Sequence, residues 1–282
     1  MGINGGRGIV GSGSVLGGSG ISLAGGGGND PDAQAAIDAI GADATIGGYL
    51  NQLFLDFKGE GSTTNNTNFY SKIYAAYPMS PSDASTISAA TCKWNIIDPR
   101  NLDAAFRLTF VNSPVFSVIN GMEQNGSGNG YANSHFVESA NMTAGNNGMT
   151  ADVKNAPIFP NDYIMGVQTI FSIRKIGPYL VYSASQLINT GFGPNNTISF
   201  SRRSATDFEA YYNGSSVGTN TTNSSTQSAA DVFIGAVNGG AGSPIDFHEG
   251  DITFAVLHDG LTDNESQDLY DAINTWNTNL GR

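Results

Sequence analysis

The chain has 282 residues, enough for one β-sandwich plus an extension, and its 12 basic against 24 acidic residues leave a net charge of −12. No basic cluster exceeds the pairs Arg174-Lys175 and Arg202-Arg203, which argues against a nucleic-acid partner. No apolar run of about eighteen residues is present, and the N-terminus lacks the apolar centre of a signal peptide, so neither a membrane partner nor host secretion is expected.

Residues 1–28 form a Gly-rich arm with too few apolar side chains to fold alone. Ile3, Ile9, Val15 and Ile21 recur every sixth position, which puts them on one face of an extended chain and makes them candidate assembly contacts; a flexible tether is the alternative. Residues 29–90 read as a helical connector. Asn29-Asp30-Pro31 caps a helix that stops at Gly41, a second helical run covers Tyr49 to Phe57, and a third carries Phe69, Ile73, Tyr74 and Tyr77 up to Pro78.

From Thr91 the apolar period becomes two, so residues 91–282 read as one sandwich or barrel. Expected strands are 92–96, 106–110, 115–119, 135–137, 163–173, 179–183, 196–201, 208–212, 231–234 and 252–256. Asn213-Gly214 after Phe208-Glu209-Ala210-Tyr211-Tyr212 predicts a type I′ hairpin, because that turn needs positive φ at both central residues. At the end of the chain, Ile252, Phe254 and Val256 alternate with Thr253, Ala255 and Leu257, which predicts a strand with both faces buried. Asp259-Gly260 turns the chain, Leu261 supplies a hydrophobic staple, and Thr262-Asp263-Asn264-Glu265 is a capping box. The helix that follows carries Leu269, Ile273, Trp276 and Leu280 on one stripe, expected to lie on the sheet.

Residues 211–270, from the Tyr-Tyr-Asn-Gly hairpin through Asp231-Val232-Phe233-Ile234-Gly235 to Leu261-Thr262-Asp263-Asn264-Glu265, resemble the closing half of concanavalin A-like jelly rolls of the laminin-G and pentraxin type. Residues 69–110, with Lys72-Ile73-Tyr74-Ala75-Ala76-Tyr77-Pro78, Asn95-Ile96-Ile97-Asp98-Pro99-Arg100 and Ala105-Phe106-Arg107-Leu108, resemble a stretch of tailed-bacteriophage virion proteins that carry such a sandwich. The resemblance implies a mainly β, concanavalin A-like jelly-roll sandwich with an extended arm, a helical connector and a closing helix. It also implies a non-enzymatic structural component of a phage particle, such as a capsid decoration, a head or tail fibre or another tail protein. Such a chain is assembled in the host cytoplasm and partnered by other virion proteins. Further expectations are a homo-oligomer, most simply a trimer wound through its arms, and no cofactor. The position in the particle stays open.

Two alternatives from other classes remain. A glycan depolymerase on this fold needs carboxylates alternating along one strand, and Glu249-Gly250-Asp251 comes nearest; glycine between them and no acid at 253 favour a turn instead. A receptor-binding module for host surface glycan is the other alternative. Laminin-G-like sandwiches present Asp/Asn-rich loops, some with calcium, and the corresponding loops here offer Asn125, Asn129, Tyr131, Asn146, Asn213 and Asn220; solvated turns are the competing reading. Cys92 reads as a small buried hydrophobe. His135, His248 and His258 show no metal-ligand spacing, and the Gly-rich runs of the arm have no preceding strand or P-loop lysine to make a nucleotide site.

Overall fold

Short polar side chains start both helices of the connector. Asp30 accepts from the amides of Asp32 and Ala33 to open α1 (Pro31–Ile40), and Gly41 closes it at φ +72°. Asp43 accepts from Thr45 and Ile46 to open α2 (Ala44–Phe57). Lys58 then ties the end of α2 to the start of α1 through Asp30 (2.8 Å) and Asp32 (2.7 Å). The computed structural model describes residues 28–82, 85–124, 126–156, 161–176, 179–183, 186–191, 195–223, 226–240 and 242–282; Ile3, Ile9, Val15 and Ile21 lie outside them.

In chain order the strands are β1 (Ile73–Pro78), β2 (Thr109–Val111), β3 (Val115–Ser117), β4 (Gly121–Glu123), β5 (Tyr131–Val137), β6 (Asn147–Lys154), β7 (Asn161–Val167), β8 (Phe171–Ile176), β9 (Tyr179–Ser183), β10 (Gln186–Gly191), β11 (Asn196–Ser204), β12 (Asp207–Tyr212), β13 (Ser215–Asn220), β14 (Asp231–Ile234), β15 (Val237–Asn238), β16 (Pro244–Ile245) and β17 (Asp251–His258). Two four-residue helices, α3 (Ala89–Cys92) and α4 (Glu138–Asn141), interrupt them, and α5 (Asp263–Asn279) follows the last. One sheet runs β13-β12-β11-β6-β17-β4-β3, with β1 also on β17. The other runs β10-β9-β8-β7-β14-β5-β2, with β15 on β7 and β16 on β15.

The protein is therefore mainly β, a two-sheet sandwich with a helical layer. Met149, Ala151, Val153, Ile198, Phe200 and Leu257 of the first sheet meet Ile164, Met165, Phe171, Ile173, Val232 and Ile234 of the second in one core. A second core lies on the outer face of the first sheet. There Phe254 and Val256 of β17 meet Leu50, Leu53 and Phe54 of α2 and Leu269, Ile273 and Trp276 of α5.

Several sequence expectations hold in detail. The Thr262–Glu265 capping box forms at α5, and Asn213 (φ +49°) and Gly214 (φ +76°) make the tight turn between β12 and β13. β17 is buried on both faces, but its two faces are not those of simple alternation. Ile252 pairs with Val153 and Phe254 with Asp152, so Thr253 is an extra residue in the ladder. This bulge turns Ile252 into the sandwich core while Phe254 and Val256 face the helices.

Three segments differ most from the sequence reading. Residues 163–173, expected as one strand, are the ends of two antiparallel strands, β7 and β8, because the chain reverses just after Gly166 (φ +125°) through the single helical turn Gln168–Ile170. Residues 73–78 are strand β1 rather than a third helix, because β17 offers Ala76 and Tyr77 a partner ladder and Ile73, Tyr74 and Tyr77 suit a pleated surface. Residues 92–96 are the end of α3 and a turn rather than a strand. Asn95 sets that turn, accepting from Ala76 N (3.0 Å) and Ile97 N (3.1 Å) and donating to Tyr74 O and Ala105 O (both 3.1 Å). Cys92 is buried, and burial pushes its thiol up to about 12.

Candidate functional site

The outer face of the first sheet is covered by α5 only in part, and where that helix ends the sheet carries polar side chains. β6 alternates so that Ala151 and Val153 enter the core while Asp152 turns toward the helix. Its carboxylate accepts from the Thr197 hydroxyl (2.7 Å), the Asn277 amide (2.8 Å) and the Thr253 hydroxyl at the bulge. A buried carboxylate with three donors is anchored in place.

Tyr270, Asn274 and Asn277 recur at spacings of four and three on α5, which places them on one face above Asp152. The hairpin turn supplies the opposite wall. Asn213 accepts from Thr197 N (2.9 Å) and donates to Asn196 Oδ1 (3.2 Å). These residues, with Lys154 and Arg282, line an open cavity of about 260 Å3.

The two cations of this cavity share an unusual support. Arg282 donates through Nε to Val118 O (2.6 Å) and through Nη1 to Asn277 Oδ1 (3.0 Å), and Lys154 donates to Ile119 O (3.3 Å). Neither lies within ion-pair distance of a carboxylate among the described residues. Burial pushes the guanidinium of Arg282 down to about 10. Lys154 is lowered by burial and then by the charge of Arg282, with the charges of Asp152 and Asp251 opposing that shift. Nη2 of Arg282 and Nδ2 of Asn196 are buried without a hydrogen-bond partner among the described residues.

Of the asparagines and aromatics singled out in the sequence, Asn213 lines this cavity. Asn125 falls outside the described residues. Asn129 lies in the loop before β5, its carbonyl accepting from Asn112. Tyr131 packs on Phe233 at 4.9 Å in a small cluster with Phe247, Asn146 accepts from Gly260 N (2.8 Å), and Asn220 ends β13. Sequence reasoning missed Asp152, Lys154, Tyr270, Asn274 and Arg282. The Tyr270-x-x-x-Asn274-x-x-Asn277 spacing was the one readable signal, since the rest are assembled by sheet order.

The histidines and acids singled out in the sequence lie away from this cavity. His258 is fully buried, with Nδ1 2.7 Å from Asp259 O and Nε2 3.0 Å from the Thr150 hydroxyl; burial pushes it down to about 4. Gly148 lies beneath that ring, where a Cβ would come within 2.4 Å of it. His135 is 2.8 Å from the Thr109 hydroxyl. Glu249 is exposed, and Asp251 opens β17 with its carboxylate accepting from Asn155 (2.7 Å). Among the described residues no three His, Cys, Asp or Glu side chains converge as a metal site.

No family model matches the chain, and no curated protein matches it. Among solved structures it is similar to domain 4 of an extracellular arabinanase from Geobacillus stearothermophilus in complex with arabinotriose, at 15% identity and TM-score 0.45 over 70% of this chain and 98% of that one. It is also similar to the Trypanosoma rangeli sialidase, at 15% identity and TM-score 0.44, covering 60% of this chain and 30% of the sialidase. The Streptococcus pneumoniae sialidase NanB matches at 16% identity and TM-score 0.35 over 44% of this chain and 23% of that one. The chain thus spans less than a third of either sialidase, and at these scores the likenesses bear on neither substrate nor reaction.

Proposed function

We propose that this chain is a non-enzymatic structural protein of a tailed-phage virion, fastened by its N-terminal arm and presenting its sandwich on the particle. The supporting observation is how residues 69–110, the stretch with the virion-protein resemblance, are used. Their polar groups brace the fold: Asn95 joins β1 to the turn after α3, and the Tyr77 hydroxyl donates to Phe106 O (2.7 Å). A segment committed to scaffolding suits a building block. Quantitative mass spectrometry of washed particles should find the chain at fixed copy number, and its absence from them rejects the reading.

On this reading, deletion of residues 1–28 leaves a soluble, folded sandwich, because both cores lie downstream of them. The truncated protein should fail to enter particles. Incorporation as efficient as that of the full chain would show the arm to be a tether.

A second reading, saccharide binding at the same particle surface, is favoured by the cavity over Asp152. Its wall of asparagine amides and one tyrosine ring offers donors, acceptors and a flat face to a polyhydroxylated ring. Binding of host polysaccharide by the purified protein, lost on Asn274→Ala, tests it. No cleavage is expected. Reducing-end release from that polysaccharide, abolished by Glu249→Gln or Asp251→Asn, would overturn the non-enzymatic assignment.

A further inference from the structure

We propose that the cavity at the end of α5 takes a carboxylated sugar, a uronate or a similar acidic residue, with Lys154 and Arg282 gripping the carboxylate. This rests on the saccharide-binding reading and narrows it to one chemical class.

The argument starts from the two cations. The chain carries twice as many acidic as basic residues, so a basic side chain has carboxylates to choose from. Lys58, Lys72 and Arg203 all find them, Arg203 reaching Asp207, Glu209 and Asp263 at once. Lys154 and Arg282, like Lys93 on Asn101, make no such pair; they are held by adjacent backbone carbonyls, Ile119 O and Val118 O, on the turn between β3 and β4, with the charge of Asp152 acting on both from a distance. Like charges fixed on the same turn repel each other, and an anion between them relieves that repulsion.

The donors point the same way. Two of the three guanidinium nitrogens of Arg282 are occupied, and Nη2 is left buried without a partner among the described residues. Nδ2 of Asn196, on a residue only 8% exposed, is in the same condition on the cavity wall. Asp152 does not fill either need, because its oxygens already accept from Thr197, Thr253 and Asn277. The side chains of the wall therefore set two cations against the one carboxylate of Asp152, and two of their buried donors have no partner among the described residues.

The remainder of the wall distinguishes a sugar acid from a bare anion. Asn213, Asn274 and Asn277 present amides, which both donate and accept as hydroxyl groups require, and Tyr270 supplies an aromatic face. A volume of about 260 Å3 suits one sugar ring, free or at the end of a chain.

The test uses the full chain and isothermal titration with D-glucuronate, D-glucose, inorganic phosphate and an oligosaccharide ending in glucuronate. Glucuronate should bind at least about tenfold more tightly than glucose, and the preference should shrink as salt is raised. Lys154→Gln and Arg282→Gln should each reduce glucuronate affinity by about tenfold or more while leaving the weak glucose binding in place. Should Arg282→Gln disturb folding, Lys154→Gln and the salt dependence decide alone. The oligosaccharide binding as the free acid does places the site at chain ends; its exclusion confines the site to free sugar acids, and both accord with the proposal. Equal binding of glucose and glucuronate would overturn the proposal yet keep the saccharide reading. Phosphate matching glucuronate would show an anion site without sugar selectivity and overturn it. No binding of any probe up to about 10 mM would end both.

Discussion

Trp276→Ala is expected to cost about 3–5 kcal/mol, measured by chemical denaturation of the full chain. Trp276 is 1% exposed and heads the fully buried side chains by volume, in the core shared by α2, α5 and β17. Its removal leaves a void that rigid neighbours cannot fill, because Phe54 and Phe254 are themselves fully buried. The indole N–H has no hydrogen-bond partner among the described residues, so Trp276→Phe loses packing alone and should cost less than half as much. A Trp276→Ala protein as stable as the parent would mean that α5 contributes no packing to the fold.

The second large effect is a pH dependence hidden by compensation. Glu138 is fully buried at the start of α4, accepting from Ser228 N (2.9 Å) and Asn147 Nδ2 (3.2 Å), and burial pushes it up to about 7. Its raised value means that its contribution is complete below about pH 4.5 and is lost as pH rises through about 7. His258 acts in the opposite sense. Pushed down to about 4, it contributes stability above about pH 6.5 that is lost as pH falls toward 4. At about 1.4 kcal/mol per tenfold step, each spans about 3 kcal/mol, and over much of the same window the two offset each other. Glu138→Gln removes one of them. The variant should therefore lose about 3 kcal/mol on acidification from about pH 7 to pH 4.5, where the parent changes little. The new amide faces the Asn147 donor and adds a constant offset, so the slope is the diagnostic quantity. Parallel pH profiles for variant and parent would exclude the raised pKa of Glu138.

Local chemistry made much of this fold readable. Asp30 and Pro31 before α1, the Thr262–Glu265 box before α5, Asn213-Gly214 and the Leu269–Ile273–Trp276 stripe are each decided within a few residues by capping, positive φ or helical spacing. The two-faced burial of β17 was legible for the same reason, since an unbroken apolar run has no solvent side. β6 was not legible. Asn147-Gly148-Met149-Thr150-Ala151-Asp152-Val153-Lys154 reads as a turn-rich polar stretch, yet it is a central strand between β11 and β17. Its polar positions are buried because partners distant in sequence satisfy them: Ser199 and His258 for Thr150, and Thr197, Thr253 and Asn277 for Asp152. β1 likewise owes its form to β17, nearly two hundred residues away. The candidate site follows the same division. The sequence by itself determined a β-sandwich closed by a capped helix, because those features follow from near neighbours. That Lys154 and Arg282 meet beside Asp152 and Asn196 was decided only when sheet order and the end of α5 brought four separate segments to one place, and no periodicity encodes such a meeting.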